Sequence, residues 1–180
     1  MRRTLVMTLI GVDRPGLVRS VAELVVQHGG NWLESRMSRL GGQFAGILRV
    51  EVPDDKEPAL VADLRSLQKT GLNVVVHPDD TKGEIEGGRN AVLSIVGQDR
   101  PGIVRQISQA LADYGVNVDD LQTECGSAAM SGETLFKATA RLRIPESCDT
   151  GKIRRELEKI AEDLIVEVGF SELPIADLKG

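Results

Sequence analysis

The first apolar run of the chain, Thr4 to Gly11, has few polar positions on either face, which is the pattern of a central strand. Leu17, Val21, Leu24, Val25 and His28 then recur at helical spacing, and Gly29 ends that helix. A hairpin follows, Asn31 to Leu40 with Phe44 to Val52. A second helix is expected over Asp55 to Thr70, with Leu60, Leu64 and Leu67 on one side. Asp54 and Glu57 have capping-box spacing before it, and Gly71 stops it. Leu72 to His77 reads as the last strand of the series.

The whole series then repeats. Gly11-Val12-Asp13-Arg14-Pro15-Gly16-Leu17-Val18 returns as Gly97-Gln98-Asp99-Arg100-Pro101-Gly102-Ile103-Val104, an offset of 86. At that offset Val21 meets Ile107, Val25 meets Leu111, His28 meets Tyr114, Gly29 meets Gly115 and Asn31 meets Asn117. After a six-residue insertion in the second copy, Pro53 aligns with Pro145. The second copy predicts a strand over Asn90 to Gly97, a helix through Ile103, Ile107, Ala110, Leu111 and Tyr114, and a hairpin of Asn117 to Cys125 with Thr134 to Ile144. A helix over Thr150 to Asp163 and a strand over Leu164 to Phe170 complete it. In the returning hairpin strand Ala138, Ala140, Leu142 and Ile144 point inward while Lys137, Thr139, Arg141 and Arg143 point outward, so one sheet face is wet. The predicted class is α+β: two ferredoxin-like βαββαβ units, each an antiparallel sheet with both helices on one face. Their bounds are 1–80 and 90–171, with a charged, glycine-bearing linker at 81–89 and a tail at 172–180.

Composition narrows the function classes. In 180 residues only 3% are aromatic, so the core is aliphatic and stacking surfaces for single-stranded nucleic acid are scarce. The net charge is −5, with 11 basic against 11 acidic residues up to position 85 and 11 against 16 after it. Neither half has the basic excess that phosphate-backbone binding needs, which argues against direct nucleic-acid binding. Met1-Arg2-Arg3 and the apolar run after it imitate a secretory signal until Asp13-Arg14-Pro15 breaks the run, and no stretch predicts a membrane span. Two cysteines, Cys125 and Cys148, fit inert fillers in a reducing cytoplasm.

The repeated loop carries the candidate chemistry. Asp13-Arg14-Pro15-Gly16 joins the first strand to the first helix, where unpaired backbone N–H groups and the positive end of the helix dipole suit a small carboxylate. Asp13 can accept from an ammonium group, and Asn31 offers a donor and an acceptor. These groups together suit an α-amino acid. The same residue types equally suit a plain structural role, since Asp is a common N-cap, Pro and Gly are turn formers, and Asn after Gly is a common left-handed cap. Duplication copies caps as faithfully as sites.

A strand followed by Asp-Arg-Pro-Gly-Leu/Ile-Val and a helix ending in Gly-x-Asn resembles the ACT domain, the small-molecule regulatory module of amino-acid metabolism. The resemblance spans nearly the whole chain, twice. Two such units without a catalytic or DNA-binding domain are similar to the glycine cleavage system transcriptional repressor family. That resemblance implies an amino-acid ligand, glycine or serine among the candidates, a protein partner such as a transcriptional activator, and a homodimer. It assigns ligand contacts to Asp13, Arg14, Pro15, Gly16, Leu17 and Asn31, and to Asp99, Arg100, Pro101, Gly102, Ile103 and Asn117. A stand-alone regulatory subunit that binds an amino acid and tunes a metabolic enzyme is the alternative.

The copies are not identical at these places. Trp32 is replaced by Val118, Leu33 by Asp119, and the second hairpin carries the small-residue insert Gly126 to Gly132, expected to be mobile. Nothing in the chain favours an enzyme. His28 and His77 are not duplicated, no Cys/His spacing suggests a metal, and no cofactor or phosphate-loop motif is present.

Overall fold

The computed structural model describes residues 1–79, 87–127 and 134–173. The chain divides into two compact units, Met1–Lys82 and Gly83–Gly180. In the first, β1 (Arg2–Val12), α1 (Leu17–Gln27), β2 (Asn31–Leu40), β3 (Gln43–Pro53), α2 (Glu57–Ser66) and β4 (Leu72–Pro78) follow in order, with a 3-10 turn at Leu67–Thr70. The second repeats this as β5 (Arg89–Gln98), α3 (Ile103–Asp113), β6 (Asn117–Ser127), β7 (Thr134–Ile144), α4 (Thr150–Leu164) and β8 (Val166–Glu172). Each unit is a four-stranded sheet, ordered β2-β3-β1-β4 and β6-β7-β5-β8, in which every described pairing is antiparallel. The apolar runs at Thr4 and Asn90 are thus the central strands that their two-sided patterning predicts.

Alternation along the strands sets each core. Leu5, Met7 and Leu9 of β1 lie opposite Val50, Leu48 and Gly46 of β3, and the odd-numbered residues are buried beneath α1 and α2. On the other face Ile10, Ile47 and Val75 are about half exposed. In the second unit Ala138, Ala140, Leu142 and Ile144 are all buried, with Lys137, Thr139 and Arg141 turned outward. Gly11 and Gly97, equivalent in the repeat, permit close approach of backbone. A Cβ on Gly11 would lie 2.6 Å from the Gly71 carbonyl oxygen, and one on Gly97 2.8 Å from the Val166 Cα.

One local expectation fails. No capping box forms at α2, whose N-cap is Lys56 without a side-chain bond, with Pro58 in the first turn. Glu57 is drawn away to the Arg3 guanidinium at 2.8 Å, and the predicted single helix becomes α2 plus the 3-10 turn. At α4, by contrast, Asp149 accepts from the Gly151 N–H at 2.9 Å and caps the helix. Most of the linker, the tip of the second-hairpin insert and most of the C-terminal tail lie outside the described residues.

Candidate functional site

Both repeated loops leave a central strand and enter a helix through a left-handed glycine. Gly16 has φ 93° and Gly102 φ 97°, and each is the N-cap of its helix. The left-handed conformation explains glycine there, because a Cβ would be strained although open space surrounds Gly16. Neither helix start receives a side-chain cap. Asp13 and Asp99, three residues earlier, therefore do not cap α1 or α3, and the plain capping role open to them in sequence is not the one they have.

The two aspartates have different surroundings. Asp13 forms an ion pair with Arg39 at 2.7 Å, and its backbone N–H donates to the Gly42 carbonyl. Asp99 keeps the equivalent backbone bond, to the Thr134 carbonyl at 3.0 Å, but among the described residues its exposed carboxylate has no hydrogen bond or ion pair. Its repeat has Cys125 where the first has Arg39. Arg14 donates to the Thr70 carbonyl and Arg100 to the Gln98 side chain. Pro15 and Pro101 are exposed beside them, whereas Leu17 and Ile103, at 5% and 2% exposure, point into their cores. Only the backbone of those last two is available at the surface of the loop.

The asparagines lie elsewhere. Asn31 pairs with Glu51 and Glu51 with Thr4, while the loop follows Val12, which pairs with Gln43. Helix α1 has carried the chain from one end of the sheet to the other, roughly 16 Å for its 11 residues. Asn117 is likewise remote from Asp99, paired with Arg143, with its amide donating to Asp119 at 2.6 Å. Asp119 sits in a β-bulge and binds the Arg143 guanidinium at 2.9 and 3.1 Å. Neither unit by itself closes a cage from its loop and its asparagine.

A further feature of the second unit was not singled out in the sequence. A crevice of about 40 Å³ opens between α3 and β6, its lining almost wholly apolar. Val104, in the first turn of α3, and Val118, the neighbour of Asn117, are among the residues that line it. The substitution of Val118 for Trp32 was the signal in the sequence. Among the described residues no group of three His, Cys, Asp or Glu side chains is arranged to hold a metal ion, and no helix is long and apolar enough to cross a membrane.

Residues 3–77 match an ACT-domain family and residues 91–130 match an ACT-domain family again. The chain is a tandem ACT-domain protein. It is 38% identical over 80 residues to a UPF0237 protein of Methanopyrus kandleri, covering 43% of this chain and 81% of that one. A UPF0237 protein of Streptococcus mutans is 33% identical over 88 residues, 48% of this chain and 92% of that one. Phosphoserine phosphatase SerB2 of Mycobacterium tuberculosis is 24% identical over 179 residues, which are 96% of this chain and 42% of the phosphatase. Among solved structures, an unknown protein of Galdieria sulphuraria superposes with a TM-score of 0.86 at 26% identity, covering 97% of this chain and all of that one. A protein provisionally designated a glycine cleavage system transcriptional repressor superposes at 0.70 and 18% identity, over 96% and 98% of the two chains. That last likeness is one of fold.

Proposed function

We propose that this tandem ACT-domain protein is a cytoplasmic, homodimeric amino-acid sensor that regulates transcription through a protein partner and has no catalytic role of its own. The observation that carries the reading is the second loop. There the start of α3 has no side-chain cap, Gly102 holds the left-handed turn, and the exposed Asp99 carboxylate has no hydrogen bond or ion pair among the described residues. An α-amino acid complements this arrangement, its carboxylate on the backbone N–H groups of the first turn and its ammonium group on Asp99. In the first loop Arg39 already neutralises Asp13. One ligand per chain, at the second loop, follows from that difference. The partner class rests on the resemblance to the repressor family, and the net charge of −5 favours a protein over nucleic acid as the direct target.

A second reading has its own support. A stretch equivalent to almost all of this chain occurs within the phosphoserine phosphatase chain, which favours a regulatory subunit for a metabolic enzyme. Both readings need the same ligand site. A melting-shift screen of the intact protein against the common amino acids tests it, because a ligand at a hundred times its Kd stabilises by about 2.7 kcal/mol. No shift with any amino acid at millimolar concentration refutes the sensor. Co-purification with a transcriptional activator or with an enzyme then separates the two partner readings.

A further inference from the structure

We propose that the open face of the first unit's sheet, the face turned away from α1 and α2, is where a second copy of this chain docks, the same face of each copy meeting the other. The proposal rests on the homodimer in the reading above and adds the surface that makes it.

The second unit is the internal reference for that face. In the first sheet Ile47 and Val75 stand on either side of Thr8, and Ala45 stands opposite Ile10. The equivalent places in the second sheet hold Thr139 and Gly169, on either side of Ser94, and Lys137, opposite Val96. One copy of the fold thus keeps its open face polar, so the fold itself does not call for apolar side chains there. Ile47 and Val75 are nevertheless more than half exposed, and Ile10 nearly so. Apolar residues scattered over a surface are ordinary, whereas a contiguous set that the sister face lacks marks a contact.

Shape and charge name the occupant. Val6, Ile47 and Arg49, with Glu34, Ser35 and Arg36 of β2, line a hollow of about 230 Å³. Val75 projects from β4, the opposite edge of the sheet. A twofold axis lying along the central strands carries the β4 side of one copy over the β2 side of the other, so each Val75 meets the other copy's hollow. The charges around the hollow are already paired within the unit, Arg36 with Glu34 at 3.8 Å and Arg49 with Asp79 at 2.8 Å. A strongly charged partner finds no counter-charge there, and the second unit's open face, with Lys137 and Thr139, is too polar to match. Of the two open sheet faces, the one that complements this surface is the same face of another copy. Four strands about 4.8 Å apart, over the seven positions at which β1 pairs with β4, cover about 450 Å². Two copies bury about twice that before side-chain relief is added, which reaches the roughly 1,000 Å² of a specific interface.

The test is sedimentation equilibrium of the intact chain and three variants: Ile47→Lys, Ala45→Lys and, at the place equivalent to Ile47 in the second unit, Thr139→Lys. The wild type and Thr139→Lys are expected to be dimers. A twofold axis sets each new charge on the first face near its own mate, so Ile47→Lys and Ala45→Lys should raise the dimer dissociation constant about a hundredfold or more. Their circular dichroism should stay native, since neither position belongs to the core and Lys137 holds the place of Ala45 in the second unit. A dimer that survives either substitution in a folded variant, or that Thr139→Lys breaks as readily, overturns the interface and leaves the homodimer standing. A wild type that stays monomeric at high micromolar concentration overturns both, and the amino-acid reading is then decided by the melting-shift screen alone. Should Ile47→Lys fail to fold, Ala45→Lys decides.

Discussion

Replacing the two equivalent aspartates separately gives opposite results if the second loop is the site. Asp13 and Arg39 are 34% and 69% exposed, so their 2.7 Å pair is largely solvated and worth about 0.2–1 kcal/mol. Asp13→Ala should therefore lower the melting temperature by about 1–8 °C, since 1 kcal/mol moves a domain of this size by about 4–8 °C. Ligand affinity should not change. Asp99 has no intramolecular partner among the described residues, so Asp99→Ala loses no native contact and should shift the melting temperature by no more than about 2–4 °C, as surface changes of that kind usually stay within ±0.5 kcal/mol. It removes a charge-assisted hydrogen bond to the bound ammonium group, worth about 1.5–3 kcal/mol, or roughly a ten- to hundredfold rise in Kd. Calorimetric titration of both variants with the tightest amino acid from the screen, beside their thermal unfolding without ligand, measures both quantities. Unchanged affinity in Asp99→Ala, or an equal loss in Asp13→Ala, refutes the assignment of the ligand to the second loop.

Three further outcomes follow from the fold. Ile165 is the non-glycine residue with positive φ, at 56°, among those described, and it is 65% exposed. Ile165→Gly should relieve that strain and raise stability by about 1 kcal/mol in thermal unfolding, with no change or a loss counting against it. Asp149→Ala removes the one side-chain N-cap seen among the four α-helices, so it should cost about 0.5–2 kcal/mol in a denaturant titration. Asp54→Ala, at the capping box that does not form, should cost much less. Gly97→Ala sets a Cβ 2.8 Å from the Val166 Cα, and the overpacking should destabilise by about 1–3 kcal/mol. Gly126→Ala, with open space around it, is the matched control.

What was legible in the sequence was what periodicity controls. Alternation in Ala138 to Ile144 and the apolar spacing from Leu17 to Val25 are set by the side of the sheet or helix that must leave water, so strand faces, central strands and helix faces could be read directly. Local chemistry was less legible because partners come from remote positions. The capping box at Asp54 and Glu57 had the right spacing, but Arg3, distant in sequence and near in space, competes for Glu57. Asn31 follows the helix closely in sequence, and only the direction of α1 across the sheet shows that it lies at the end remote from Asp13. The contrast between Asp13 and Asp99 depends on Arg39 and Cys125, at the far ends of β2 and β6, which no loop motif includes.

Divergence between the copies is the stronger guide to function, because what both units need for folding has been kept in both. Gly11 and Gly97 admit neighbouring backbone, Gly16 and Gly102 turn the chain, and Leu17 and Ile103 anchor the two helices in their cores. None of these can distinguish a site from a scaffold. The changes that do distinguish the units act on separate groups. Cys125 in place of Arg39 leaves Asp99 without the cation that neutralises Asp13, and Val118 with Ala140 in place of Trp32 with Leu48 opens the crevice beside α3. Relaxed packing alone accounts for the second change and not for the first, since the Asp13–Arg39 pair is too exposed to be a packing constraint. The two changes lie at different places in the unit, Asp99 just past the end of β5 and the crevice at the level of Ala140 and Leu121, so they are separate outcomes of divergence, and only the first leaves a charged group without its counter-ion.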